Sequence, residues 1–324
     1  MNHMGIRWPI SCATLRYGGQ AVLEGVMIRG PAGIAVAVRA PDGQIVLRSI
    51  PLPPRRRWQR WPFLRGVFIL WETLRWGMEA LWFSATVVAG ENEAQEVRES
   101  PLALLTLAAS FALALGIFLL LPALLAEGIE RALGLSAWIR TALEGIFRLG
   151  LVLGYLIAVG RHPEIRRVFA YHGAEHKVVH ALEAGAPLTI AGARPFPTAH
   201  PRCGTAFLLT VIVIAAILFA FLPASTLIER LVLRLALLPV LAALSYEALW
   251  LSARYQHVPL VAALSAPNLW LQRLTTREPD EAMLEVALAA LRTAQELEGA
   301  QASPANLPGF GAHTMDESAV SPDG

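Results

Sequence analysis

Two long apolar stretches stand out in the pattern of hydrophobic and polar positions along the chain. Residues 102–126 and 205–228 contain no Asp, Glu, Lys or Arg. Each is long enough for a helix that crosses a bilayer core of about 30 Å. Both stretches therefore predict membrane-spanning helices.

Two further stretches are apolar with few charges. Residues 143–160 contain Glu144 and Arg148, which lie four positions apart and can pair on one helix face. Residues 231–253 are interrupted in a similar way by Glu247 and one arginine. We predict that both stretches also span the membrane, which brings the total to about four spans.

Residues 63–89 predict a helix that lies in the membrane interface rather than a fifth span. Charged residues interrupt the stretch, and tryptophans, which favour the headgroup region, accompany them. These residues are Arg65, Glu72, Arg75, Glu79, Trp71, Trp76 and Trp82. The arginine cluster at 55–60 would face anionic headgroups.

An alternation with a period of two predicts a small β unit near the N-terminus. Ile34, Val36 and Val38 alternate with smaller or charged residues, residues 41–43 (Pro-Asp-Gly) supply turn chemistry, and apolar residues resume at Ile45.

Near the other end of the chain, Pro279 with Asp280 and Glu281 predicts the start of a helix of about 20 residues. One apolar stripe of this helix should dock on the protein or on the membrane. The stripe comprises Met283, Val286, Leu288 and Leu291.

These elements predict a mainly α membrane protein with about four transmembrane helices, a small N-terminal β unit and cytoplasmic helices. The expected organisation is a tail at 1–16, a β-rich cytoplasmic unit at 17–54, a basic linker and interfacial helix at 55–100, a four-span domain at 101–253 with a cytoplasmic loop at 161–204, a cytoplasmic helical region at 254–299 and a disordered tail at 300–324.

Charge orients the predicted spans. Four spans place the N-terminus, the 161–204 connection and the C-terminus on one side, and most of the basic residues fall there. The positive-inside rule makes that side cytoplasmic, which predicts a multi-pass protein of the inner cell membrane with both termini in the cytoplasm. The bilayer is then a partner, and an oligomer or a membrane-protein partner stays open.

Composition agrees with this picture. The 324 residues are 55% hydrophobic and only 16% charged, which excludes an ordinary soluble chain. The net charge of +2 does not indicate nucleic acid. Cys12 and Cys203 both fall on the predicted reducing side, so we expect no structural disulfide. Residues 1–16 lack the pattern of a cleavable signal peptide.

The candidate chemistry lies in the predicted cytoplasmic connection. On a helix, three histidines and two carboxylates within residues 171–183 share an arc of about 140°. They are His172, Glu175, His176, His180 and Glu183. Such a stripe is typical of a metal site, although a polar face at the lipid headgroups would explain it as well.

Helical spacing limits how this stripe can bind an ion. One zinc ion can take only a pair four residues apart, so the pair is His172 with His176 or His176 with His180. In the first arrangement the order H-x-x-E-H leaves Glu175 beside the ion as a general base. In the second, Glu183 could be a third ligand. Because Gly173 weakens a helix, His172 could instead lie in a preceding turn.

A second group of candidate ligands follows at His200-Pro201-Arg202-Cys203. With Pro201 in a first helical turn, His200 would cap the next span and Cys203 would lie one turn inside it. Both the helix N-terminus and Arg202 favour a thiolate. These ligands suit zinc or iron. The alternative is a buried small residue and an ordinary cap.

Two carboxylates in apolar surroundings have less certain roles. Glu247 could be a ligand or a proton relay, but pairing with Arg254 explains it as well. Glu24 could contribute to a site, but a salt bridge to Arg29 is an equal alternative.

Four motifs taken together resemble the YqhQ-like family of bacterial membrane proteins. They are YGGQAVLEGVM at 17–27, YHGAEHK at 171–177, HPRCGT at 200–205 and LQRLTTREPD at 271–280. The family carries a domain of unknown function, and its members are labelled metal-dependent enzymes. The resemblance implies site residues His172, Glu175, His176, His180, His200 and Cys203.

We therefore expect a membrane-embedded metal-dependent hydrolase with its site at the cytoplasmic interface. His172, His176, His180, His200 and Cys203 are the candidate ligands of a divalent ion, zinc before iron, and Glu175 is the candidate general base. The substrate could be a lipid headgroup, a peptide or a small metabolite. The alternative is a membrane scaffold or assembly factor, with a structural metal or none.

Overall fold

The structure is a computed structural model that describes residues 17–53, 59, 61–90, 100–221 and 226–302. Within these ranges the protein is mostly helical, with one antiparallel sheet at its N-terminal end. Several predicted segments lie outside the described residues: the tail at 1–16, the arginines of the 55–60 cluster and residues 91–99. Of the predicted tail at 300–324, only residues 300–302 are described, and they are helical.

The predicted β unit is confirmed as a four-stranded sheet in the order β1-β2-β3-β4. Its strands are β1 (Gly18–Val22), β2 (Gly25–Arg29), β3 (Gly33–Arg39) and β4 (Ile45–Pro51). Every neighbouring pair is antiparallel. The predicted turn joins β3 to β4, where Gly43 has φ +88°, a conformation that glycine adopts without steric cost.

Helices cover both faces of the sheet. On one face, Val36 and Val38 pack against α1 (Leu64–Ala89). On the other face, Ala35 and Ala37 pack against two further helices, α4 (Pro163–Glu183) and α10 (Glu281–Ala302). The docking predicted for the last helix is confirmed, because its whole apolar stripe is buried in this core: Met283, Val286, Leu288 and Leu291.

Helix α1 carries three of its four charged side chains toward the protein, with Arg75 exposed, and part of its apolar surface outward. Arg65, Glu72 and Glu79, spaced seven residues apart, form ion pairs with Glu247, Arg29 and Arg48, respectively. Trp71, Leu74, Met78 and Leu81 are exposed. The helix predicted over 63–89 therefore exists as one element, and its outward apolar stripe fits the predicted interfacial position.

Among the described residues, two helices are long and apolar enough to cross a membrane, and a bent pair makes a third if it counts as one span. The two are α2 (Pro101–Leu133), which contains a π turn at Gly116–Leu120, and α3 (Ala137–Val159). The bent pair is α7 (Leu227–Ala236) with α8 (Leu238–Arg254), and its angle is 52°.

The four predicted spans are thus only partly reproduced. The predicted span at 205–228 contains helix α6 (Gly204–Ala220), whose 17 residues are fewer than the roughly 20 that usually cross a bilayer core. The stretch at 231–253 is broken because Pro239 has no backbone N–H and begins a new helix. Helices α5 (Ile190–Ala193) and α9 (Pro259–Thr275) complete the described helices.

An ionic cluster is buried among the apolar helices. Glu144 pairs with Arg148 at 2.6 Å, as predicted, and also accepts two hydrogen bonds from Arg234 at 2.6 and 2.7 Å. Arg148 in addition donates to the backbone oxygen of Phe118, in the π turn, at 3.1 Å. The cluster ties α2, α3 and α7 together.

Both alternative pairings considered for the isolated carboxylates are wrong. Glu247 pairs with Arg65, which comes from α1, and not with Arg254. Glu24 forms two hydrogen bonds with Arg167 on α4, at 2.6 and 2.5 Å, and not with Arg29. Each true partner is distant in sequence, so spacing along one helix or loop could not indicate it.

Candidate metal centre

Three of the five candidate ligands, His172, His176 and His180, lie on α4, a regular helix. It begins at Pro163, in a first-turn position where proline's missing N–H is not needed. It continues through Gly173, so His172 belongs to the helix and the preceding turn considered for it is wrong. A Cβ at Gly173 would lie 2.1 Å from the backbone oxygen of Arg277, so glycine here allows a close approach of two chain segments.

The histidine face of α4 meets a corner of chain at residues 198–203. Glu175, His176, His180, His200 and Cys203 are all buried, and His172 is half-buried. The imidazole rings of the four histidines form a continuous row. The centroid separations are 4.4 Å for His172–His176, 5.6 Å for His176–His200 and 4.4 Å for His180–His200. The fold therefore brings the candidate ligands of the two sequence segments together.

Cys203 occupies a different position from the one predicted. It is the N-cap of α6, with His200 outside the helix, because the turn at 200–203 closes through a backbone bond from Cys203 N to His200 O of 3.2 Å. Its sulfur accepts a hydrogen bond from Thr205 N at 3.4 Å and lies 3.1 Å from Thr205 Oγ1. The helix N-terminus thus faces the sulfur.

The first ligand group comprises His172, His176 and Cys203, whose ligand atoms lie within 4.8 Å of one another. Nε2 of His172 is 3.2 Å from the sulfur of Cys203. Nε2 of His176 is 3.5 Å from a carboxylate oxygen of Glu175. Of the two arrangements that helical spacing allowed, this group matches the pair His172 with His176.

Backbone carbonyls fix the tautomers of both histidines in this group. Nδ1 of His172 lies 2.9 Å from Thr275 O, and Nδ1 of His176 lies 2.5 Å from Thr198 O. A carbonyl oxygen only accepts, so each Nδ1 carries the hydrogen and, in the neutral ring, Nε2 keeps its lone pair. Histidines that bind metals show this outer hydrogen bond almost always. The donor set therefore fits a metal ion.

The second group, His180, Glu183 and His200, has ligand atoms that are equally close, within 4.8 Å. Here the backbone N–H of Arg202 donates to Nδ1 of His200 at 3.2 Å, so the neutral ring carries its hydrogen on Nε2. That nitrogen lies 3.3 Å from Glu183, which also pairs with Arg202. His180 donates from Nε2 to Ala199 O at 2.9 Å.

The second group is thus already joined by its own hydrogen bonds and ion pair. Burial lowers the pKa of His180 to about 3, and the neighbouring His200 adds to the effect. Burial also lowers the pKa of His200 to about 3, helped by His176. Both rings are neutral near pH 7. We interpret this group as a support for the first rather than as a second ion site.

Glu175 is a buried carboxyl group at the centre of the site. Burial raises its pKa to about 7, although His172, a hydrogen bond from the backbone N–H of Gly19, and Arg202 act in the opposite direction. A group that titrates near neutral pH can both accept and release a proton under working conditions.

A small cavity adjoins these groups. Its volume is about 40 Å³, enough for one or two water molecules. The histidine helix, the 200–204 corner and strand β1 form its walls, which include Tyr17, Gly18, Gly19, Glu175, His176, Val179, His200, Arg202, Cys203 and Gly204. The β unit therefore completes the site, a role that the strand pattern did not predict.

Residues of the 271–277 segment also reach the site, and spacing arguments missed them. Gln272 and Thr275 are buried and contact His200 and His172, respectively. The one available signal was the LQRLTTREPD motif, which supported the family resemblance without indicating a contact with the histidines.

The fold and the site define a mostly helical protein, with two or three helices apolar enough to cross a membrane and a buried His/Cys/Glu cluster. The chain belongs to the family described as "Protein of unknown function (DUF1385)", whose model matches residues 61–297. It is 36% identical over 296 residues to "Uncharacterized protein YqhQ" of Bacillus subtilis (strain 168), which covers 87% of this chain and 93% of that protein. No solved structure matches the chain.

Proposed function

We propose that this protein is a membrane-embedded, metal-dependent hydrolase with its site at the cytoplasmic face of the inner membrane. His172, His176 and Cys203 would hold a divalent ion, zinc in the first place and iron as the alternative. The observation that carries the proposal is the pair of backbone carbonyls that present Nε2 of both histidines to the cysteine sulfur.

The donor set decides which ions fit. Two imidazole nitrogens and one thiolate are borderline-to-soft ligands, which favour zinc and iron over magnesium or calcium. Three protein ligands leave a fourth tetrahedral position, as in catalytic zinc sites. A bound ion of this kind would supply Lewis acidity and lower the pKa of a water molecule.

Glu175 is the proposed general base. Its carboxylate lies 3.5 Å from Nε2 of His176, next to the ligand atoms, and the cavity beside it has room for water. With a pKa of about 7 it can take a proton from water and pass it to a leaving group. Its hydrogen bond from Gly19 holds the carboxylate toward the cavity.

The proposed membrane arrangement retains four spans: α2, α3, α6 and the bent pair α7–α8. The first 15 residues of α2 include no buried side chain, as expected of a helix surrounded by lipid. Helix α6, at 17 residues, reaches about 25 Å by its rise alone, slightly less than a bilayer core. With four spans, the positive-inside rule would put α4 and both termini in the cytoplasm, which supports the proposed location of the site.

A structural metal in a membrane scaffold is the second candidate function. One observation favours it: two of the three proposed ligands, His176 and Cys203, are almost fully buried, and structural zinc sites are closed. The two candidates differ in what happens without the ion. A structural site should lose the fold with the metal, whereas a catalytic site should keep it.

Metal binding in purified protein tests the proposal. In mild detergent, we expect one equivalent of zinc or cobalt in the wild type and in Glu175→Gln, and loss of stoichiometric binding in His176→Ala and Cys203→Ser. His162→Ala is the matched control, because His162 lies at the start of the same helix and is exposed. A folded wild type that binds neither zinc, cobalt nor iron after reconstitution would refute the proposal.

Thermal unfolding of the same samples with and without chelator separates the candidates. A cooperative unfolding transition that persists after metal removal, at a melting temperature lowered only by the lost binding energy, supports the hydrolase, and loss of that transition supports the structural role.

A further inference from the structure

The last turn of α9 and the residues that follow it contact both halves of the site. We call residues 271–277 the clamp segment. On the α4 side, Thr275 O accepts from His172, and Arg277 N donates to Phe169 O at 2.9 Å. On the corner side, Thr276 Oγ1 lies 3.4 Å from Thr198 Oγ1. The proposed hydrolysis assigns no chemical role to the clamp segment.

Gln272 makes the most specific of these contacts. It is fully buried, and its amide binds both backbone groups of a single residue. His200 N donates to the amide oxygen at 2.7 Å, and the amide nitrogen donates to His200 O at 2.9 Å. The same His200 oxygen accepts the bond from Cys203 N that closes the turn. Gln272 therefore stabilises the turn that carries Cys203 through two hydrogen bonds.

We propose that Gln272 is a positioning residue that holds Cys203 against His172. A glutamine amide offers one donor and one acceptor, which matches the N–H and C=O of one residue. Without it, the buried N–H of His200 loses its partner and the C=O of His200 keeps only the bond from Cys203 N, so the turn can leave the histidine face. The consequence for metal affinity rests on the proposed function, whereas the consequence for the position of Cys203 does not.

The test uses a Cys12→Ser background, in which Cys203 is the remaining cysteine of the two in the sequence. Gln272→Met removes both hydrogen bonds at similar size, and Gln272→Asn keeps the amide but shortens it by one methylene. Asn268→Leu is the matched control, because Asn268 lies one turn earlier on α9 and its amide faces Thr210 on α6 at 3.5 Å.

The first measurement is the rate at which iodoacetamide alkylates Cys203 in chelator-treated protein in detergent. Cys203 is only 5% exposed, so alkylation requires the turn to open. We expect a rate increase on the order of tenfold or more in Gln272→Met, from the loss of about two buried hydrogen bonds. Gln272→Asn should give a smaller increase, and Asn268→Leu none.

The second measurement is Cd²⁺ and Co²⁺ titration, followed by the thiolate-to-metal charge-transfer absorption. We expect affinity to fall roughly 10- to 100-fold in Gln272→Met, as for other outer-shell substitutions, with a weaker charge-transfer band. A change confined to overall stability would not move this band.

The outcomes separate the two proposals. Faster alkylation in Gln272→Met with a wild type that binds no metal supports the positioning role and rejects the metal centre. Metal binding in the wild type, with neither readout changed in Gln272→Met, overturns the positioning role alone. Equal alkylation rates in Gln272→Met and Asn268→Leu also overturn it, because any loosening of α9 would then suffice.

Discussion

Replacing Glu175 by glutamine should remove a pH dependence of folding that the buried carboxyl imposes. The pKa of Glu175 is about 7 in the folded protein, against 4.5 for an ordinary glutamate, mainly because burial disfavours the charged form. The folded state therefore binds a proton that the unfolded state has already released between pH 4.5 and pH 7. The contribution of Glu175 to stability is therefore most favourable below this window and becomes less favourable as the pH rises through it.

The size of the effect follows from the shift. A difference of about 2.5 pKa units corresponds to about 3 kcal/mol, at 1.36 kcal/mol per unit. Most of that, about 2–3 kcal/mol, should be lost between pH 5 and pH 8. Glu175→Gln has no proton to release, so its stability should exceed that of the wild type by a margin that grows with pH.

Unfolding of chelator-treated protein, followed by tryptophan fluorescence at several pH values, measures this margin. His180 and His200 are neutral in the folded protein over this range, but in the unfolded state they titrate near 6.5, so below that pH they add a slope of the opposite sign. The difference between wild type and Glu175→Gln removes the effects of all other groups. Parallel pH profiles for the two proteins would refute the assignment of Glu175 as a buried, neutral acid.

Three further substitutions test the packing around the site. Gly173→Ala should lower the free energy of unfolding by about 1–3 kcal/mol in a denaturant titration, because the new methyl group would meet the backbone of Arg277. The control Gly128→Ala, in open space, should be neutral. Similar effects of the two substitutions would contradict the contact. Glu144→Gln should lower the free energy of unfolding by about 3–5 kcal/mol, since Arg148 and Arg234 keep their buried charges. Glu285→Gln, at a side chain that is 57% exposed, should change it by less than about 1 kcal/mol. In detergent, Leu291→Ala in the core should lower the free energy of unfolding by about 2–5 kcal/mol, and Leu74→Ala on the outward face of α1 should hardly change it. A larger loss in Leu74→Ala than in Leu291→Ala would argue against the packing of α10.

Local patterns in the sequence predicted the elements and the ligand face well. Alternation identified the strands around Val36, helical periodicity identified α10, and spacing placed His172, Glu175 and His176 on one side of α4. These features depend on residues within about two turns or one strand of each other. Short-range geometry is enough to predict them.

Contacts between distant segments were not predictable from the same patterns. Gln272 lies 72 residues from His200, and Thr275 lies 103 residues from His172. The pairings of Glu24 and Glu247 failed for the same reason, since each true partner comes from another element. The apolar composition of 231–253 likewise did not indicate the bend before α8, because the bend depends on the position at which Pro239 starts a new helix.

The distance between these segments constrains when the site can form during synthesis. A chain that the ribosome has extended only to α6 already carries the histidines and Cys203, yet it lacks Thr275, which fixes the tautomer of His172, and Gln272, which grips the turn at His200. The donor set thus acquires its geometry only after α9 has been made and has folded back onto α4. On the proposed function, nascent and truncated chains should bind the metal ion poorly, and metal loading should follow completion of the chain.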